Sequence, residues 1–255
     1  MDLAGKVVLV TGGRRVGGKL ALDLADRGAK VALTYLTSRE AIERTVSEVE
    51  ARGAEGLAVA ADLSRGDQAE AAVSRVVEQF GRIDALINMA STYTRTPFES
   101  LAPADFDAMI AANLAAPYHV SVAASRRMLA QPPFKADSPL RGKIVTVGDW
   151  ATDRPYRHYL PYLVAKGALT TMTLALATEL APYVAVNLVQ PAMIDPPPDL
   201  SEPDRQAIIA ATPLTTAGTA DDANRMILYF LEGTDFATGT CVRVDGGRFL
   251  GLSSE

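Results

Sequence analysis

Val7-Val8-Leu9-Val10-Thr11-Gly12-Gly13-Arg14-Arg15-Val16-Gly17-Gly18 is the stretch on which the fold turns. Four aliphatic residues in a row predict a strand covered on both faces, because a half-exposed strand would alternate apolar with polar. The glycines that follow permit a sharp turn and let the backbone approach a ligand without Cβ clashes. Helical spacing begins at once, with Leu20, Leu22 and Leu24 beside Ala21 and Ala25. Strand, turn and helix in that order aim free N–H groups and the positive end of a helix dipole at the turn, which makes an anion site. Taken alone, the glycines also read as a tight turn with no ligand.

The same alternation continues outward. Short continuous apolar runs recur at 30–35, 56–61, 85–88, 143–147, 185–189 and 241–244, separated by helical patterns such as Ile42, Val46 and Val49. This predicts an α/β protein with one Rossmann-type doubly wound parallel sheet of about seven strands and helices on both faces. No repeat and no Gly/Ser linker interrupts the pattern, so residues 1–255 are expected to form a single domain. The one compositional break is Asp195-Pro196-Pro197-Pro198-Asp199-Leu200-Ser201-Glu202-Pro203. It reads either as a surface loop with a helix start at Ser201 or as a substrate-covering flap, within a loop of about residues 193–213.

Composition removes other classes. Hydrophobic residues make up 48% and charged residues 22% of the 255, which argues against disorder. The balance of 25 basic against 30 acidic residues, net −5, argues against a nucleic-acid partner. No run approaches the ~18 consecutive apolar residues of a membrane helix, so no membrane partner is expected. The single cysteine, Cys241, forms no internal disulfide and points to a reducing, cytoplasmic setting. No His/Cys/Asp cluster has metal-ligand spacing, and no metal is expected.

The end of the second strand, Thr34-Tyr35-Leu36-Thr37-Ser38-Arg39, carries no carboxylate to grip ribose hydroxyls or repel a 2′-phosphate. Thr37, Ser38 and Arg39 can donate to such a phosphate, with Arg14 or Arg15 adding charge, so NADPH is favoured over NADH. Thr37 or Ser38 capping the next helix is the other reading.

Tyr162 and Lys166 lie one turn apart on a helical face. A nearby ammonium is expected to lower the tyrosine pKa and let it shuttle a proton near neutral pH. Asp149 precedes Tyr162 by thirteen residues after the fifth strand, and Asn113 lies in the helical segment before it. With the Thr11-Gly12 turn, Asp62-Leu63, Asn88-Met89-Ala90-Ser91 and Val186-Asn187 leading to Pro191, the chain resembles the short-chain dehydrogenase/reductase superfamily over nearly its whole length.

That resemblance implies roles position by position. Tyr162 would donate the proton, Lys166 would hold the nicotinamide ribose, and Asn113 would fix a relay water. Gly12, Arg14, Arg15, Val16 and Gly17 would hold the pyrophosphate. Tyr35, Asp62, Leu63, Asn88, Ala90 and Ser91 would line the cofactor cleft, with Pro191 and Ile194 at the nicotinamide. Asp149 stands where the family usually has serine. With the double arginine it resembles the pteridine reductase branch, including dihydromonapterin reductases. That implies reduction of a pterin or dihydrofolate C=N, with Ser91, Tyr93 and Arg15 beside Asp149 and Tyr162 at the substrate. The resemblance also implies a homotetramer, built at the helix of residues 220–231 and the last strand. A carbonyl reductase, or a non-catalytic NADPH-binding protein, are the alternatives.

The chain departs from the family pattern in places. Its glycine turn is one residue short, with Gly17 or Gly18 as the last glycine. Met89 replaces an asparagine, Ala192 a glycine and Pro196 a threonine. Trp150 reads either as cleft wall or as packing under the proline-rich loop. His158 reads as cleft mouth or local hydrogen-bond partner, His119 as structural and Cys241 as a small core residue.

Overall fold

A computed structural model describes residues 1–195 and 200–251. The seven runs form strands β1 (Val7–Thr11), β2 (Lys30–Tyr35), β3 (Gly56–Ala60), β4 (Ala85–Asn88), β5 (Gly142–Val147), β6 (Val184–Pro191) and β7 (Cys241–Val244). They pair in one parallel sheet of order β3-β2-β1-β4-β5-β6-β7, the doubly wound arrangement expected. Between them run α1 (Val16–Ala25), α2 (Arg39–Ala51), α3 (Gly66–Phe80), α4 (Pro103–Ile110), α5 (Ala116–Ala130), α6 (Leu160–Leu180), α7 (Glu202–Ala210) and α8 (Ala220–Leu228).

The continuous apolar runs are explained by two cores, one on each face of the sheet. Val8 and Val10 of β1 pack with Leu20, Ala21 and Leu24 of α1 and Ile227 of α8. Val7 and Leu9 point the other way, toward Val73 and Val76 of α3 and Val120 and Ala124 of α5. A polar residue at any of these four positions of β1 would be buried, since all are at most 1% exposed.

The chain changes sheet direction between β1 and β4. There the carboxyl ends of two neighbouring strands diverge, and a crevice opens above them. Around it lie the glycine turn, the loops after β4 and β5, the start of α6 and the segment after β6. α6 is 21 residues long with mean hydropathy 1.3, enough by length and composition to cross a membrane. Half of that apolar window is buried, with Leu169 and Met172 packed on Leu188 of β6, while Leu160, Val164 and Leu174 are exposed. Ser201 starts α7, its hydroxyl accepting from the Asp204 N–H at 3.3 Å. The rest of the proline-rich segment, residues 196–199 with the Pro196 departure, lies outside the described residues.

Candidate active site

Tyr162 and Lys166 sit in the first and second turns of α6, one above the other. Asp149 leaves β5 in extended conformation and opens a short 3₁₀ turn, where its Oδ1 accepts from the Ala151 N–H at 2.8 Å. That bond aims Oδ2 at Tyr162, whose hydroxyl donates to it at 2.7 Å. Lys166 is fully enclosed and donates to the Val147 carbonyl at 2.9 Å. Gln190 of β6 steadies the same turn, its amide donating to Thr152 Oγ1 at 3.1 Å.

The electrostatics correct one expectation. Lys166 was expected to lower the Tyr162 pKa, yet burial and then the Asp149 charge push the phenol above its ordinary value. The hydroxyl faces a carboxylate directly, while Lys166 Nζ lies 5.9 Å from the ring centre and points at a backbone carbonyl. Burial also pushes the Asp149 carboxyl up, against the opposing pull of the Tyr162 hydrogen bond. Burial brings Lys166 down to about 8. Both oxygens of the pair therefore hold a proton more tightly than usual, and Asp149 is the carboxyl raised above its ordinary range.

The loop after β4 supplies the opposite wall. Thr11 Oγ1 accepts from the N–H groups of Met89 and Ala90 at 3.0 and 3.1 Å, which ties this loop to the end of β1. Asn113 lies in a π-helical turn, Ala111–Ala115, just before Pro117 of α5. Pro117 lacks the N–H that an α-helix would aim at the Asn113 carbonyl, which accounts for the wider turn. The Asn113 side chain accepts from Ser91 Oγ at 2.7 Å and the Thr92 N–H at 3.1 Å, and donates to the carbonyls of Thr92 and Met109. It thus positions the Ser91–Thr92 corner.

Tyr93 follows that corner. Its ring stacks on Tyr159 at 4.4 Å and meets Tyr162 edge-on at 4.9 Å. Its hydroxyl bonds that of Tyr156 at 3.1 Å. The ring is 56% exposed, with one face backed by Tyr159. Tyr156 and Tyr159 went unsingled in the sequence, although three tyrosines within seven residues (156, 159 and 162) were the available signal.

Three observations test the turn as a dinucleotide cradle. Gly12 and Gly13 hold φ of 76° and 155°, and a Cβ on Gly13 would meet Ile42 Cδ1 at 2.9 Å. No side chain caps the start of α1, so its first N–H groups face the crevice uncapped. Among the described residues, the buried Asn88 Oδ1 has no hydrogen-bond partner, and Lys166 donates only to Val147. These residues fit a bound dinucleotide. Both glycines of the ambiguous pair are buried in the first turn of α1. A Cβ on Gly17 would lie 3.0 Å from Met89 Sδ, and one on Gly18 2.6 Å from the Gly13 carbonyl. Gly18→Ala is therefore expected to weaken dinucleotide binding about tenfold by forcing the turn open, read by titrating the intrinsic fluorescence.

Two arginines expected at the cofactor already have protein partners. Arg15 donates to the Asp195 carbonyl, bridging the glycine turn to the segment after β6. Arg39 pairs with Glu43 at 2.7 Å, so its charge is already partnered. Arg14, Thr37 and Ser38 make no side-chain hydrogen bond among the described residues, and Tyr35 lies half-buried at the end of β2. Asp62 Oδ1 accepts from the N–H and hydroxyl of Ser64, and Leu63 is core. Pro191 closes β6, and Ile194 bridges to Gly218. The lone cysteine packs beside Leu169 and Met172 as a small apolar residue. His158 takes φ 71° and its carbonyl accepts from the Thr96 N–H, while His119 packs edge-on to Tyr118. No metal-ligating cluster occurs among the described residues.

A doubly wound sheet with a glycine turn after β1 and a tyrosine–lysine pair on the helix after β5 defines a nicotinamide-dependent oxidoreductase architecture. The short chain dehydrogenase family matches residues 6–207, and the chain belongs to that family. It is 31% identical over 257 residues to the BbsD subunit of (2S)-((R)-hydroxy(phenyl)methyl)succinyl-CoA dehydrogenase from Thauera aromatica, covering 98% of this chain and 99% of that one. It is 28% identical to the 3-oxoacyl-(acyl-carrier-protein) reductase FabG of Staphylococcus aureus, covering 96% and 98%. A short-chain dehydrogenase/reductase structure from Serratia marcescens superposes with TM-score 0.87 at 29% identity, covering 98% and 100%.

Proposed function

We propose that this oxidoreductase uses NADPH to reduce a ring C=N bond of a pterin or dihydrofolate-type substrate. The observation that carries this reading is the 2.7 Å bond from the Tyr162 hydroxyl to a buried Asp149 carboxyl whose pKa is raised. A carbonyl oxygen can take its proton from a phenol held by a serine hydroxyl. A ring nitrogen needs an acid, and an upshifted carboxyl beside the phenol supplies one. Because the two oxygens share a tight bond, they titrate as a pair.

Bound NADPH would supply the hydride, delivered to the ring carbon. The chain's own residues do the rest. Lys166 holds a ribose hydroxyl with its unspent N–H groups, and Arg14 offers charge to a 2′-phosphate. The open face of Tyr93 receives the flat heterocycle, a stack worth about 1 kcal/mol beyond area burial. Tyr162 passes its proton to the nitrogen, and Asp149, when protonated, restores it. Assembly as a homotetramer and residence in the cytoplasm belong to the same proposal.

The second reading is a carbonyl reductase, favoured by relatives named as a 3-oxoacyl-(acyl-carrier-protein) reductase and a (2S)-((R)-hydroxy(phenyl)methyl)succinyl-CoA dehydrogenase subunit. NADPH oxidation with dihydrobiopterin, dihydromonapterin, dihydrofolate and a 3-oxoacyl thioester separates the two. Turnover of a pterin, lost about a hundredfold in Asp149→Ser, supports the first reading. Turnover of the ketone alone, kept in Asp149→Ser, replaces it with the second. The pH profile adds a sign. An acid with a raised pKa loses its proton as pH climbs, so pterin reduction should fall above an apparent pKa higher than that of an ordinary carboxyl. In Asp149→Asn that descending limb should vanish.

A further inference from the structure

Arg248 lies just past β7 and reaches back toward the crevice. Its guanidinium carbon sits 5.0 Å from the Trp150 ring centre, and one N–H donates to the Ile208 carbonyl of α7 at 3.0 Å. Trp150 is the residue next to Asp149, and its ring lies 6.5 Å from that of Tyr156. Tyr156 bonds Tyr93, which touches Tyr162. The Tyr156 hydroxyl feels both the Asp149 and the Arg248 charge, so Arg248 lies within electrostatic reach of the aromatic cluster beside Tyr162.

A second cation is held behind it. Arg154 donates to the carbonyls of Arg248 and Phe249 at 3.1 and 3.3 Å. The Arg154 guanidinium thus lies against the backbone of Arg248, and among the described residues neither guanidinium lies within ion-pair distance of a carboxylate. The carboxylates nearby are otherwise engaged. Asp245 spends Oδ1 on the Gly247 N–H and Oδ2 on the Phe249 N–H, at 3.0 and 2.9 Å. Asp153 pairs with Arg243 at 2.8 Å. Partial burial lowers the Arg248 pKa and the Arg154 charge adds to this, while the Tyr156 and Asp245 charges oppose it; the guanidinium stays charged. A half-buried guanidinium over an indole, with no ion-pair partner among the described residues, gains from an arriving anion.

We propose that Arg248, with Arg154 behind it, is a subsite for an acidic substituent of the substrate. The preferred substrate is then a flat heterocycle carrying a carboxylate tail, with the ring on Tyr93 and the tail at Trp150 and Arg248. A planar fork suits a carboxylate better than an ammonium does, because two parallel N–H groups meet its two oxygens. The proposal rests on the heterocycle reading of the site.

The test is calorimetric binding of folate and of biopterin to the NADP⁺-loaded enzyme, in wild type and in Arg248→Met. Methionine keeps an apolar stem on Trp150 and removes the charge. Wild type is expected to favour folate, and the folate-to-biopterin affinity ratio should fall about tenfold in Arg248→Met. Arg248→Lys should keep part of the ratio, and raising salt from about 0.05 to 0.5 M should shrink it in wild type. A merely structural role would weaken both ligands together and leave the ratio where it was. Equal affinities in wild type, or a ratio that survives Arg248→Met, overturns the subsite. If NADPH oxidation shows no pterin turned over, the heterocycle reading falls, while the binding ratio still decides the role of Arg248.

Discussion

Tyr162→Phe is expected to lower kcat by about 10³-fold while changing cofactor affinity little, because it removes the hydroxyl proposed to protonate the substrate and keeps the ring. The phenol is buried and bonded to Asp149, so phenylalanine fills the same space beside Tyr93 and Met109. The residual activity carries more information than the loss. The Tyr162 hydrogen bond is the largest of the interactions that oppose burial at Asp149, and phenylalanine deletes it. Asp149 then titrates at still higher pH, so the alkaline decline of the residual rate should move upward from that of the wild type. Steady-state rates between about pH 5 and 9 would show both effects. A loss below tenfold in kcat would remove Tyr162 from the role of donor.

Lys166→Met is expected to abolish turnover and yet make the protein harder to unfold at pH 7. Burial brings the ammonium down to about 8 from an unfolded value of 10.5. The unfolded chain therefore binds this proton more tightly, and below pH 8 the folded state carries a buried charge at full cost. Each pKa unit is worth about 1.4 kcal/mol, so removing the charge yields about 3.5 kcal/mol. Losing the bond to the Val147 carbonyl returns about 1 kcal/mol of that. The net is a rise of several degrees in Tm for a chain of this size. The advantage should shrink as pH rises from 8 toward 10.5, where wild-type lysine is neutral when folded. Urea unfolding at pH 7 and pH 10 checks it, and a variant less stable than wild type at pH 7 would falsify the argument. The lysine is thus held in place against its own solvation, as expected of a group kept for chemistry.

Strand positions were readable to within a residue or two because strands buried on both faces must be continuously apolar, and β1, β2 and β4 are. Asp149, Tyr162 and Lys166 were legible because chain spacing and helix periodicity bring them together. The direction of the Tyr162 shift was not. It depends on which way Lys166 Nζ and Asp149 Oδ2 point, and the β5 turn settles that through the Ala151 N–H. The fate of the arginines was hidden for the same reason. Arg15 and Arg39 find an Asp195 carbonyl and a Glu43 carboxylate, and only side-chain geometry distinguishes those partners from a phosphate. Arg248 escaped notice because its neighbours, Trp150 and Ile208, are distant in the chain.

β1 is made early and finishes in the middle. It pairs with β2 on one side and with β4 on the other, in register Val8↔Ala85. At roughly 5–20 residues per second, a ribosome needs about 4–15 s to deliver β4 after β1 has emerged. Throughout that interval the β1-β2-β3 half has an unpaired edge made of Val7, Val8, Leu9 and Val10, a template for wrong pairing. Closing the gap later adds little entropy cost, since loop closure grows only logarithmically with length. The hazard is thus one of time rather than of free energy. Nascent chains arrested before Asn88 should bind chaperones, and those arrested beyond β5 should begin to protect β1 from protease.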